Sequence, residues 1–176
     1  ISCVIKGNAY GHGIESFLPM AEDCGIDHFS VFSASEAYRA VGSRGSESTQ
    51  VMVMGHMEGE AVEWAVEEAV SFYVFDLHRL EMALQAAGSV GRPALVHLEV
   101  ETGLNRTGLA GDDLSRALEL LAQNRDRLSL QGVCTHFAGA ESVNNYLRIQ
   151  EQKLRFQEAL CEVRRHGLEL GIRHTA

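Results

Sequence analysis

Lys6-Gly-Asn-Ala-Tyr-Gly-His-Gly13 follows an apolar run at residues 1–5, and the choice of fold depends on this stretch. An apolar run that ends in a lysine and a glycine-rich turn predicts a buried strand over residues 1–6. Open sheets that bind nucleotides usually carry G-x-G-x-x-G or a P-loop after the first strand, and this turn matches neither pattern. The turn therefore lacks the usual sign of a nucleotide-binding sheet.

Short apolar runs alternate with longer amphipathic stretches along the rest of the chain. This alternation predicts repeated strand and helix units around a parallel sheet, which is either a barrel or an open doubly wound sheet. Ser33 and Glu36 form the pattern of a capping box, Gly88 is expected to end a helix, and Pro19 is expected in a first helical turn. The seven predicted strands are 1–6, 28–32, 51–54, 71–75, 94–100, 128–135 and 171–175.

The composition predicts one globular domain, or part of one, that acts on a small molecule. The chain has 176 residues, 45% of them hydrophobic, and a formal net charge of -9. That charge argues against a nucleic-acid or acidic-membrane surface, which requires clustered Lys and Arg. No apolar run approaches the roughly 18 residues that a membrane span needs.

The four cysteines and eight histidines indicate neither a disulfide framework nor a metal site. The cysteines are far apart and form no C-x-x-C pair, which favours a reducing cytoplasm, and the histidines lack ligand spacing. Residues 1–5 and 172–176 both predict strands with nothing beyond them, so we expect the chain to be a piece of a longer protein.

Lys6 is the first candidate for chemistry. The end of the first strand places its amine at the carboxyl-terminal mouth, where barrel active sites are built. A lysine there tends to be partly desolvated, which lowers its pKa and frees the neutral amine for Schiff-base formation. Tyr10, four residues on in a glycine-rich turn, is well placed to offer its hydroxyl to an anion. A lysine that reaches solvent from a strand end is the simpler alternative.

The eight-residue stretch resembles the signature around the cofactor lysine of alanine racemases, which usually reads K-A-N-A-Y-G-H-G. The one departure is Gly7 in place of alanine. The resemblance implies that Lys6 forms an aldimine with pyridoxal 5'-phosphate and that Tyr10 contributes its hydroxyl to the cofactor phosphate. It also implies a partial (β/α)8 barrel, of TIM type, that binds the cofactor and extends over residues 1–176.

Two further blocks resemble the same family. Residues 96–108 look like its V-D-T-G-M-x-R-x-G segment, which implies that Arg106 donates to the phenolic oxygen of the cofactor. Residues 132–138 resemble its T-H-F-A stretch and place His136 near the cofactor ring. Many members carry a carbamylated lysine seven residues before the arginine. Here that position is Glu99, and its carboxylate is expected to steer Arg106, with a water molecule bridging the gap.

The resemblance implies interconversion of L-alanine and D-alanine for cell-wall synthesis, by a cytoplasmic homodimer. Lys6 would act on one face of the substrate and a tyrosine from the partner's C-terminal β-domain on the other, so the 176 residues alone are expected to be inactive. Three alternatives stay open. They are a pyridoxal-phosphate carrier without catalysis, a serine or broad-specificity racemase, and a non-functional remnant of a racemase gene.

Overall fold

The computed structural model describes residues 1–139, 142–169 and 171–175, which form two compact units, Ile1–Tyr73 and Val74–Ala176. Strands and helices alternate in both, as the α/β prediction requires. The strands are β1 (Cys3–Val4), β2 (His28–Val31), β3 (Gln50–Val53), β4 (Ser71–Val74), β5 (Ala94–Glu99), β6 (Leu128–Thr135) and β7 (Ile172–Thr175). The helices are α1 (Lys6–Tyr10), α2 (Ile14–Asp23), α3 (Ala34–Ser43), α4 (Glu60–Glu67), α5 (Leu77–Val90), α6 (Gly111–Gln123) and α7 (Tyr146–Arg165), with a short 3-10 helix at Val143–Asn145.

The first unit is a parallel sheet in which β1 to β4 pair in sequence order. All four residues of β2 are buried, as expected for a parallel strand that is covered on both faces. The helices place small or branched apolar side chains against these strands. The buried side chains of this unit include Ile5, Ile14, Leu18, Phe29, Met52 and Phe72.

The second unit is built on the parallel strands β5, β6 and β7. Gly132 in β6 lies opposite His97 of β5 and Ile172 of β7. A Cβ atom at Gly132 would lie 2.8 Å from His97 Nδ1 and 2.4 Å from the Ile172 carbonyl oxygen, so only glycine fits there. The apolar faces of the helices cover this sheet, with Leu80, Leu118, Leu121, Phe156 and Val163 among the buried side chains.

Three details of the sequence prediction are wrong. β1 contains only Cys3 and Val4, and Ile1 is fully exposed. Pro19 lies in the interior of α2, because the helix begins directly after Gly13 and not close to the proline. Gly88 lies inside α5, which continues to a left-handed C-cap at Gly91. Within the described residues, no helix has the length and apolar character that a membrane span requires.

The segment α1 is a single turn of left-handed helix. Gly7, Asn8, Ala9 and Tyr10 have φ values of 61°, 55°, 54° and 52°. For residues other than glycine the left-handed conformation costs roughly 1–2 kcal/mol each, because Cβ approaches the following carbonyl oxygen. The Ala9 N–H donates to the Ile5 carbonyl at 2.8 Å, and Gly13 N–H donates to the Asn8 carbonyl at 2.9 Å. The turn is therefore a strained segment that its surroundings must hold in place.

Gly7 is the position where this strain can be tested most simply. We expect Gly7→Ala to destabilise the protein by about 1 kcal/mol, because alanine is unfavourable at positive φ. An added Cβ would meet nothing within 4 Å, so no clash contributes. Urea unfolding of the complete protein, followed by the fluorescence of Trp64, measures the effect.

Gly88→Ala is the matched control for this substitution. Gly88 has equally open space around its Cβ position, but it lies inside the right-handed helix α5. Alanine should therefore stabilise the protein there by roughly 0.5–1 kcal/mol. Equal effects of the same sign at the two glycines would contradict the left-handed assignment.

Candidate functional site

Lys6 and Tyr10, the two candidates in the first unit, lie at the two ends of the left-handed turn. Both side chains are exposed, while Ala9 between them is buried. The sequence predicted that Lys6 is partly desolvated, whereas its side chain is exposed in the first unit. The turn fixes the backbone of Lys6 and Tyr10, and both side chains are accessible to a ligand.

Asn8 ties the middle of the turn to α2 and α3. Its side-chain oxygen accepts hydrogen bonds from the Ile14 N–H at 3.2 Å and from Arg39 Nη2 at 2.5 Å. Arg39 also binds both carboxylate oxygens of Glu15, at 2.6 and 2.7 Å. These hydrogen bonds from Arg39 lower the pKa of Glu15 to about 2. Sequence reasoning missed Asn8, Glu15 and Arg39 because no local pattern links α3 to a turn about 30 residues earlier.

Glu99 is a buried carboxyl group of the second unit. It ends β5 with 6% of its surface exposed, and Oε1 accepts a hydrogen bond from the Thr107 hydroxyl at 2.9 Å. Burial raises the pKa of Glu99, and the Thr107 hydrogen bond and the charges of Arg106 and His136 partly offset that rise. The direct partner of the carboxylate is thus Thr107, and Arg106 acts on it through its charge.

Arg106 lies in a loop that folds back on β5. The Leu109 N–H donates to the Glu99 carbonyl at 2.8 Å, so the loop closes beside the end of the strand. Glu101 accepts hydrogen bonds from the N–H groups of Gly103 and Asn105 within the loop. The Arg106 side chain remains exposed above this framework.

Arg79 is a buried cation that the sequence prediction did not include. Only 3% of its surface is exposed, and its guanidinium lies 4.4 Å from the centre of the Phe75 ring. Burial lowers the pKa of Arg79, while the charges of Asp76 and Glu99 raise it. Arg79 thus contributes a positive charge on the α5 side of Glu99.

His136 follows β6 and is exposed. The loop behind it is held by Gln152 of α7, which is buried. The Ala138 N–H donates to Gln152 Oε1 at 2.8 Å, and Gln152 Nε2 donates to the Ala138 carbonyl at 2.9 Å. This reciprocal pair fixes the backbone two residues beyond His136.

The same helix also holds the loop after β5. Arg148 donates to the Gly103 carbonyl at 2.9 Å, and Arg155 donates to the Thr102 carbonyl at 3.2 Å. The buried hydroxyls of Thr102 and Thr135 lie 2.8 Å apart and join the ends of the two strands. Two of the four predicted cofactor residues, Arg106 and His136, therefore lie on loops that one helix fixes to each other.

The prediction that the histidines bind no metal is not tested by these observations. His97 and His174, which are distant in the sequence, lie within the second unit with ring centroids 5.2 Å apart.

Comparison with known proteins gives one consistent family. The chain matches the family model for the alanine racemase N-terminal domain over residues 1–176. It is 34% identical to an alanine racemase of Symbiobacterium thermophilum, over 100% of this chain and 46% of that protein. An alanine racemase of Leptospira interrogans is 32% identical, over 99% of this chain and 43% of that protein. The chain thus spans about half the length of the curated relatives it matches.

Solved structures agree with these matches. The alanine racemase from Streptomyces coelicolor superimposes with a TM-score of 0.92 at 29% identity, over 99% of this chain and 47% of that chain. A Bacillus anthracis alanine racemase with bound L-Ala-P gives a TM-score of 0.86 at 26% identity, over 99% of this chain and 44% of that chain. These superpositions show a parallel α/β domain of the barrel class, which confirms the fold prediction. The chain belongs to the alanine racemase family and matches its N-terminal domain.

The burial of Glu99 leads to a pH-dependent prediction. A carboxyl group whose pKa is raised by folding stabilises the protein below its unfolded pKa, near 4.5, and that contribution is lost as the pH rises through the folded pKa. Glu99→Gln keeps an acceptor for Thr107 and removes the charge. We therefore expect the stability of the variant relative to the unsubstituted protein to increase from pH 4 to pH 8.

Urea unfolding followed by circular dichroism at a series of pH values measures this difference. Glu158→Gln is the control, because Glu158 is an exposed carboxyl group of the same unit. A stability difference between Glu99→Gln and the unsubstituted protein that falls with pH, or does not change, would show that burial does not dominate at Glu99.

Proposed function

We propose that the complete protein interconverts L-alanine and D-alanine with pyridoxal 5'-phosphate as cofactor and Lys6 as the residue that anchors it. The observation that carries this proposal is the left-handed turn, which leaves Lys6 and Tyr10 exposed in a chain of the alanine racemase family. The proposal includes a cytoplasmic homodimer that supplies D-alanine for cell-wall synthesis.

The chemistry of the four candidate residues fits an anionic cofactor. Lys6 offers an amine, Tyr10 a hydroxyl, Arg106 a guanidinium and His136 an imidazole, and all four side chains are exposed. On this proposal Tyr10 binds the phosphate, Arg106 donates to the phenolic oxygen and His136 lies beside the ring. The cofactor, when bound, withdraws electrons from the α-carbon of the amino acid.

Lys6 would then move the α-proton on one face of the substrate. Inversion at carbon needs a second acid–base group on the opposite face. The family resemblance assigns that group to a tyrosine of the partner subunit, outside the 176 residues. The expectation that these residues alone are inactive stays a prediction.

Glu99 would act on the cofactor indirectly, by steering Arg106. Its carboxylate is fixed by Thr107, and the charges of Glu99 and Arg106 attract each other. A glutamate supplies a negative charge at this position without the carbamylation that a lysine requires. The proposed steering would be wrong if Glu99→Gln left both cofactor binding and turnover unchanged.

The test of the proposal is racemisation by the complete protein supplied with pyridoxal phosphate. We expect D-alanine to form from L-alanine, and we expect Lys6→Ala to reduce the rate by at least about 100-fold, because the anchor and one proton-transfer group are lost together. Lys153→Ala is the matched control. Lys6 and Lys153 are the only lysines of the 176 residues, and Lys153 is an exposed residue of α7.

Other outcomes of this assay distinguish the alternatives. Bound cofactor without any racemisation favours the carrier, and faster formation of D-serine than of D-alanine favours a serine or broad-specificity racemase. A complete protein that binds no cofactor at all would support the non-functional remnant.

A further inference from the structure

We propose that Glu36 is a positioning residue for Lys6, because its carboxylate fastens the left-handed turn that begins at Lys6 and so fixes the backbone that presents the amine. The part of this inference that concerns cofactor attachment rests on the proposed function. The part that concerns the turn rests on the structure of the first unit alone.

The carboxylate of Glu36 joins two helices of opposite hand. Its Oε2 accepts hydrogen bonds from the N–H groups of Phe32 at 2.9 Å and Ser33 at 3.4 Å, at the start of the right-handed helix α3. Its Oε1 accepts a hydrogen bond from the Asn8 N–H at 3.2 Å, in the left-handed turn. One side chain therefore caps α3 and binds the turn of α1.

The first N–H groups of a helical turn have no partner inside that turn, whatever its hand. In α1 these groups include those of Gly7 and Asn8. Burial of the carboxylate raises the pKa of Glu36, but the hydrogen bonds from Phe32, Asn8, Gly7 and Ser33 outweigh this effect and lower it. Glu36 is therefore held as an anion, and an anion is the strongest available acceptor for these N–H groups.

Asn8 is held from both sides. Its backbone N–H donates to Glu36, and its side-chain oxygen accepts from Arg39, which lies three residues after Glu36 on α3. The hydrogen bond to Glu15 raises the pKa of Arg39, and the charges of Glu15 and Glu36 add to this effect. The charged groups that face the turn are thus Glu36 and Arg39 from α3 and Glu15 from α2.

An ordinary capping box accounts for only part of these contacts. The Ser33 hydroxyl accepts from the Glu36 N–H at 3.3 Å, and the Glu36 side chain accepts from the N-cap backbone, which explains the start of α3. It does not explain the bond from the Asn8 N–H, which belongs to a segment 28 residues earlier. The two roles can be separated by substitution.

Glu36→Gln separates them, because glutamine also occurs at this position of a capping box and keeps α3 capped. Its amide group, however, is neutral and presents N–H donors where the carboxylate now presents only acceptors. The matched control is Ser33→Ala, which removes the other half of the capping box and leaves the carboxylate on the turn.

The experiment uses the complete protein and two measurements. Hydrogen exchange of the cofactor-free protein follows the amides of residues 6–11, and borohydride trapping follows the rate at which pyridoxal phosphate attaches to Lys6. We expect Glu36→Gln to speed exchange at Gly7 and Asn8 by about tenfold, since bonds to a charged acceptor are lost, and to slow attachment at Lys6. Ser33→Ala should lower the melting temperature without changing either measurement.

Unchanged exchange at Gly7 and Asn8 in Glu36→Gln would overturn the inference, and so would equal acceleration in Ser33→Ala. Faster exchange with an unchanged attachment rate would reduce Glu36 to a structural cap and would also overturn it. If the unsubstituted protein shows no attachment at Lys6, the proposed function fails, and the exchange data still decide whether Glu36 fastens the turn.

Discussion

The left-handed turn after β1 is the constraint on which the first unit depends. Asn8, Ala9 and Tyr10 all adopt positive φ, which is costly for residues with a Cβ atom. The chain compensates with the carboxylate of Glu36, the guanidinium of Arg39 and the backbone carbonyl of Ile5. Such strain persists only where the surrounding structure holds it, and it is common at functional sites. The turn displays Lys6 and Tyr10 to solvent while Ile5 and Ala9 anchor it in the core.

In the second unit, side chains of a helix hold the loops that carry the candidate residues. Its loops after β5 and β6 are long, and side chains of α7 fix their backbones. Gln152 holds Ala138, while Arg148 and Arg155 hold the carbonyls of Gly103 and Thr102. Glu99 is a buried carboxyl group at the end of β5, where the Thr107 hydroxyl fixes it and the charge of Arg106 acts on it. Both units thus place exposed candidate side chains on backbones that hydrogen bonds from other side chains hold.

Sequence patterns predicted much of this architecture. The β2 to β7 predictions are each within about one residue of the observed ends. For the mostly buried strands β2 to β5, the reason is that buried parallel strands have short apolar runs between amphipathic helices. The capping box of Ser33 and Glu36 was also predictable, since both partners lie within four residues. The start of α2 was missed, because the turn before it makes Gly13 the N-cap and leaves Pro19 inside the helix.

The parts that were not predictable depend on contacts between distant residues. Asn8 is a residue type that tolerates positive φ, but nothing in Ala9-Tyr10 predicts that the left-handed conformation continues through the whole turn. Local patterns likewise do not predict the hydrogen bond between Glu36 and Asn8, or the two hydrogen bonds between Gln152 and Ala138. The candidate site residues were found through family motifs, whereas the residues that position them required the structure.

The most direct measurement is the site of cofactor attachment in the complete protein. The protein is incubated with pyridoxal phosphate, reduced with borohydride and mapped by peptide mass. Lys6 and Lys153 are both exposed, so unselective reaction with surface amines would label both. Label on Lys6 with Lys153 unmodified is the predicted result. Equal labelling of the two lysines, or no label on Lys6, would contradict the central claim that the left-handed turn presents Lys6 as the cofactor anchor.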